Sequence, residues 1–167
     1  MKELSFQANI LPLKNKLFRL ALRITLNRQE AEDIVQDTLL RLWDQKADWK
    51  KIHNVEAFAM MICRNLSLDV VKKKEFKNLS MVETQYDVAD EDSGWNESFL
   101  KNEQVQMIHK AINALPEKQR TVMQLRDIEG KAYKEIAKIM NISESDVKVT
   151  LFRARQTIKD KLWTTNT

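Results

Sequence analysis

A chain of 167 residues, 43% of them hydrophobic, is long enough for one medium domain or two small ones with ordinary apolar cores. Two glycines, two prolines and few β-branched alternating runs exclude a sheet-rich fold and predict an all-α protein. A net charge of +4 is too small to establish nucleic-acid binding, the single cysteine excludes an internal disulfide, and the lack of a signal peptide or bilayer-length apolar run predicts a cytoplasmic protein.

The first strongly patterned element runs from Glu30 to Asp44. At about 3.6 residues per turn, Ala31, Ile34, Val35, Thr38, Leu39 and Leu42 fall on one arc suited to a core. Asp33, Gln36, Asp37 and Asp44 fall opposite. Leu40 sits within that acidic face, where folding does not need it and a partner could use it as an anchor. An ordinary acidic surface helix with one stray leucine has the same pattern.

Asn54 to Lys77 forms a second amphipathic element. Val55, Phe58, Ala59, Ile62, Leu66 and Val70 can share an apolar side, leaving Arg64, Asn65, Asp69, Lys72 and Lys73 toward solvent. Cys63 lies in the apolar run and is expected to be a buried small residue. Lys72, Lys73, Lys74 and Lys77 cluster at the end of the element, where the helix dipole favours cations whatever their function. From residue 78 the periodicity fades, and Glu83, Asp87, Asp90, Glu91 and Asp92 gather around Ser93 and Gly94, the composition of a flexible acidic linker.

Trp95 and Phe99 are expected to open the packing of a second domain. Val105, Ile108, Ile112 and Leu115 then form one helix face, Pro116 suits the first turn of the next helix, and Val122, Met123 and Leu125 continue it. Gly130 ends the loop before a helix-turn-helix. Its first helix covers Lys134 to Met140 with Ile136 and Ile139 apolar, and Asn141 stands where the turn needs a residue tolerant of a left-handed backbone. Ser143-Glu144-Ser145-Asp146 has the form of a capping box, so the second helix begins near Glu144. Val147, Leu151, Ala154, Ile158 and Leu162 make its buried stripe; Lys148, Val149, Phe152, Arg153, Gln156 and Lys159 face outward. That arc suits a recognition helix in the major groove, with cations and amides for base edges and apolar groups for thymine methyls. A solvated basic face is the alternative, and an exposed Phe152 weighs against it.

Literal motifs narrow these readings. Glu30-Ala31-Glu32-Asp33-x-x-Gln36-Asp37 with Trp43 resembles region 2.2 of bacterial sigma factors, most closely the extracytoplasmic-function (ECF) group. The resemblance implies that Asp33, Gln36, Asp37 and Leu40 contact the clamp helices of the largest RNA polymerase subunit, with Trp43 as core or contact. Arg64-Asn65-x-x-x-Asp69 and the lysines after it resemble regions 2.3 and 2.4. Arg64, Asn65, Asp69, Lys72 and Lys73 would then capture the separated non-template strand at the minus-ten element, cations holding phosphates and a polar pocket holding an unstacked base.

Leu115-Pro116-x-x-x-Arg120, Gly130-x-x-x-x-Glu135-Ile136-Ala137 and Leu151-Phe152-Arg153-Ala154-Arg155 resemble region 4. By match Lys148, Val149, Phe152 and Arg153 would touch bases of the minus-thirty-five element, and Thr150 and Arg155 its backbone. Ser145 and Asp146 stand where family members commonly carry Gly and Thr, which bears on base preference rather than on fold. The resemblance implies two small helical domains, residues 1–77 and 99–167, joined by a linker over 78–98 that would thread toward the RNA path. It also implies core polymerase, promoter DNA and an anti-sigma factor, often membrane-anchored, as partners.

His53 and His109 lack neighbours at ligand spacing, no Gly-rich phosphate loop occurs and no nucleophile stands in a recognisable setting. No enzyme, metal or cofactor is expected. A stand-alone helix-turn-helix regulator would explain the C-terminal half alone; it normally needs a dimer element, and none is evident. A nuclease would need a carboxylate and histidine constellation that the sequence lacks.

Overall fold

The computed structural model describes residues 5–80 and 102–165. It divides into two compact units, Met1–Ser93 and Gly94–Thr167. The acidic stretch from Glu83 to Gly94, together with Trp95 and Phe99, lies outside the described residues.

In the first unit a π-helical turn, Phe6–Ile10, and a short 3-10 turn, Leu11–Leu13, lead into α1 (Lys14–Thr25), α2 (Arg28–Asp44) and α3 (Val55–Ser80). A 3-10 segment, Lys46–Lys51, joins α2 to α3. The three α-helices pack pairwise as a bundle. Leu17, Leu20, Ala21 and Ile24 of α1 are fully enclosed, which makes α1 the central rod of the core. Between α1 and α2 the chain turns at Leu26, which adopts a left-handed backbone (φ 57°) with its N–H on the Leu22 carbonyl. A leucine there stores about 1 to 2 kcal/mol of local strain that glycine would avoid. Asn27 then caps α2, its Oδ1 accepting from the Glu30 N–H at 3.0 Å. Trp49 folds under the corner and donates its indole N–H to the Leu42 carbonyl at 2.8 Å.

α2 buries Ala31, Ile34, Val35, Thr38 and Leu42 as its periodicity predicts, with Leu39 only half-buried. On α3 the centre of the buried stripe differs from expectation. Ala59, Met60, Cys63 and Ser67 are fully enclosed, while Val55, Phe58, Leu66 and Val70 are half-buried at its margins. Three small residues at i, i+4 and i+8 let α3 approach the α1 backbone closely, so that Cys63 donates its S–H to the Leu17 carbonyl at 3.3 Å. Burial pushes the Cys63 thiol up to about 12.

The second unit contains α4 (Glu103–Asn113), α5 (Glu117–Met123), a π-helical turn Gln124–Ile128, α6 (Tyr133–Met140) and α7 (Glu144–Thr165). α7 packs on α4, α5 and α6. Ile112, Leu115, Met123, Ala154 and Ile158 form one apolar cluster, with Ala111 and Leu162 against it. α4 is rotated from the predicted face: Ile108 is exposed beside Met107, and His109 is the buried residue of that turn. Pro116 stands just outside α5 as its N-cap, in an extended conformation (φ −53°, ψ 148°) that no backbone N–H needs to support. Gly130, at φ +70°, closes the loop before α6.

Asn141 takes the left-handed conformation (φ 55°, ψ 49°) that the turn between α6 and α7 demands. Ser143 caps α7, its Oγ accepting from the Asp146 N–H at 3.0 Å. The return half of a capping box is replaced by something else: Asp146 takes Lys118 Nζ at 2.8 and 2.9 Å and the Thr150 hydroxyl at 3.1 Å. These donors, Lys118 foremost, hold the Asp146 carboxyl below its ordinary value.

Candidate functional site

Three surfaces carry the residues singled out by sequence. The first lies on α2. Asp33, Gln36, Asp37 and Leu40 are all exposed on the side opposite the buried arc, and Leu40 is 56% exposed in the midst of carboxylates. Trp43, at the next turn, is neither core nor free. It is 47% exposed, with Phe6 set edge-on at 5.3 Å and an 85° interplanar angle, and Lys46 Nζ 4.4 Å from its ring centre. The N-terminal turn therefore orients an aromatic face next to Leu40's helix side.

The second surface lies on α3. Asn65, Asp69, Lys72 and Lys73 are exposed. Arg64, predicted to face solvent with them, is instead half-buried, and its Nε is closed off from solvent without a hydrogen-bond partner among the described residues. Lys74 leaves the cationic cluster to pair with Glu30 at 2.7 Å, tying the end of α3 to the start of α2.

The third surface is the outer arc of α7. Lys148, Val149, Phe152 and Arg153 are exposed together, Phe152 at 68%, while Val147, Leu151, Ala154 and Ile158 point into the core. Two residues expected to meet a nucleic-acid backbone are occupied within the unit. Thr150 is only 5% exposed and donates its hydroxyl to Asp146. Arg155 forms a two-pronged pair with Asp127 of the π-helical turn, with Nε on Oδ2 at 3.2 Å and Nη2 on Oδ1. The Asp127 hydrogen bonds raise the Arg155 pKa above its ordinary value.

Tyr133 escaped the sequence reading. Its ring lies under Arg126 at 4.2 Å and within 5.6 Å of Lys148 Nζ, which steadies two cations at the edge of the α7 arc. Arg126 in turn donates to the Lys131 carbonyl at 2.9 Å. No sequence spacing announces a stack between residues of three different elements.

Residues 10–76 match the family model for Sigma-70 region 2, and residues 105–158 that for Sigma-70, region 4. The chain is similar to the ECF RNA polymerase sigma factor SigE of Mycolicibacterium smegmatis, 28% identical over 149 residues, covering 89% of this chain and 58% of that protein's length. It is also similar to the ECF RNA polymerase sigma factor SigM of Bacillus subtilis, 27% identical over 154 residues and 87% of each chain. In fold it resembles the sigma factor RpoE of Bartonella quintana, solved in complex with the anti-sigma factor NepR, with a TM-score of 0.74, 23% identity and coverage of 94% of this chain and 96% of that one. With one region matched in each of its two helical units, the chain belongs to the sigma-70 family, in its extracytoplasmic-function group.

Proposed function

We propose that this chain is a promoter-specificity subunit that binds core RNA polymerase and directs where transcription begins, with no catalysis of its own. The observation that carries the reading is Leu40: a 56% exposed leucine, centred on an acidic helix face, with the core-facing side of the same helix already satisfied. Asp33, Gln36 and Asp37 around it supply polar and electrostatic complementarity to a basic partner, and Leu40 the apolar anchor. A stand-alone operator-binding regulator leaves that surface without a task.

On the same reading Asn65, Asp69, Lys72 and Lys73 hold the separated minus-ten strand, with Arg64 behind them. Lys148, Val149, Phe152 and Arg153 read the minus-thirty-five duplex. Thr150 and Arg155 act on DNA indirectly, Thr150 by closing the cap of α7 and Arg155 by fastening α7 to the π-helical turn. Residues 1–77 and 99–167 serve as the two working domains and 78–98 as their acidic linker. An anti-sigma factor that covers either binding surface would keep the chain idle, as NepR partners the Bartonella protein. Among the described residues no helix is long and apolar enough to cross a membrane.

In vitro transcription tests the proposal. Adding the chain to core polymerase on a library of promoter sequences is expected to start RNA synthesis from a defined subset. DNA binding without any polymerase-dependent initiation would overturn it in favour of an operator-binding regulator.

A further inference from the structure

Phe76 is 78% exposed on the last turns of α3, a large aromatic that the fold does not use. Its position along the helix is not arbitrary. Asn65, Asp69, Lys72 and Phe76 follow one another at spacings of four, three and four, so at about 100° per residue they form a single exposed stripe. Lys73 flanks that stripe. On the opposite side of the same turn Lys74 is paired with Glu30 of α2 at 2.7 Å, which pins the helix end and keeps the Phe76 side turned outward.

We infer that Phe76 is a stacking platform for an unpaired base, extending the strand-binding surface of α3 one further step. This deepens, and rests on, the reading of α3 as the single-strand face. An aromatic ring offered among lysines is the combination that holds unpaired nucleic acid: the cations track phosphates and the ring takes a base from any sequence. Eleven residues of helix separate Asn65 from Phe76, about 16 Å. That distance equals about five nucleotides at a stacked rise of about 3.4 Å, so the Asn65 and Asp69 pocket and the Phe76 ring can engage the same short strand at its two ends. Surrounding lysines argue against an apolar protein surface as occupant, since burying them with Phe76 would strand their charges.

The test uses the full chain assembled with core polymerase and a fluorescent single-stranded oligonucleotide carrying the non-template promoter sequence. Phe76→Ala is expected to weaken strand binding by roughly fivefold to a hundredfold, the range of one base–aromatic stack. Phe76→Tyr should bind like the parent, and Phe76→Leu, apolar but without a flat ring, should bind like Phe76→Ala. A thermal melt of each variant checks that folding is unaffected. Parent-like binding by Phe76→Ala or by Phe76→Leu overturns the inference, as does a melting loss that shows the ring to be covered by the chain itself. A Lys72→Ala, Lys73→Ala double variant separates the two levels: if it loses the strand and Phe76→Ala does not, only the platform fails, and if neither loses it, the single-strand reading of α3 fails as well.

Discussion

Leu40 and Phe152 are the two side chains whose exposure the sequence foretold and on which the functional reading turns. Each interrupts a polar arc at a position where helix periodicity leaves no core to enter, and each is more than half exposed. Truncating either should therefore leave folding nearly intact, within about 0.5 kcal/mol as for ordinary surface changes. Arg153→Ala should cost roughly 1 to 3 kcal/mol in promoter binding and relax preference at one base position, whereas uniform weakening on all sequences, read in a competition binding assay, would assign Arg153 to phosphate. Thr150 and Arg155 show where periodicity stops informing. The family match alone placed them toward a nucleic-acid backbone; Thr150 is instead buried, and the partners that claim the two, Asp146 and Asp127, follow from how the cap and the π-helical turn close.

Asp146 carries a pH dependence with a definite sign. Its folded carboxyl lies below the ordinary 3.8, so the ion pair with Lys118 contributes stability that is present above that value and lost as pH falls through the depressed one. Circular dichroism melts between neutral pH and pH 3 should show an acid-side loss that Asp146→Asn reduces. Cys63 works in the opposite direction. Its thiol, raised from 9.0 to about 12, favours the folded state below pH 9 and loses that contribution as pH climbs toward 12. A thiol-labelling reagent at pH 8 is expected to leave the native chain unmodified and to react promptly once denaturant is added; rapid native labelling would show that α3 does not seal the α1 carbonyl.

At the scale of the element, α2, α6 and α7 were legible because each has a full apolar stripe, and α7 in addition a capping serine at its start. Asn141 and Ser143 then do in the structure what their chemistry allowed or suggested, while the Asn27 cap of α2 became visible only there. α3 was harder. Its innermost line, Ala59, Cys63 and Ser67, contains no large apolar side chain, so a search for bulk finds the margins of the interface instead of its centre. The close packing there predicts that Ser67→Leu destabilises the first unit by about 1 to 3 kcal/mol through overpacking, measurable by urea unfolding. α4 misled for a related reason: Met107 and Ile108 are apolar but exposed, and the enclosed residue is His109, whose burial periodicity cannot anticipate. An element whose apolar residues exceed what its partner can cover gives an ambiguous phase.

In the whole molecule separate surfaces carry the proposed tasks: the α2 face for the polymerase, the α3 stripe for a parted strand and the α7 arc for a duplex. Composition concealed this arrangement, because 28 cations and 24 anions nearly cancel while the named charged residues of the α2 face are acidic and those of the α7 arc basic. Family motifs made the two-part organisation legible, and the structure adds which members of each motif are available to a partner. The measurement that tests this division most directly compares the parent chain, Leu40→Ala and Arg153→Ala for affinity to core polymerase and, separately, to duplex promoter DNA. Leu40→Ala should lose polymerase and keep the duplex, and Arg153→Ala should do the reverse; variants that lose both together, or neither, would contradict the assignment.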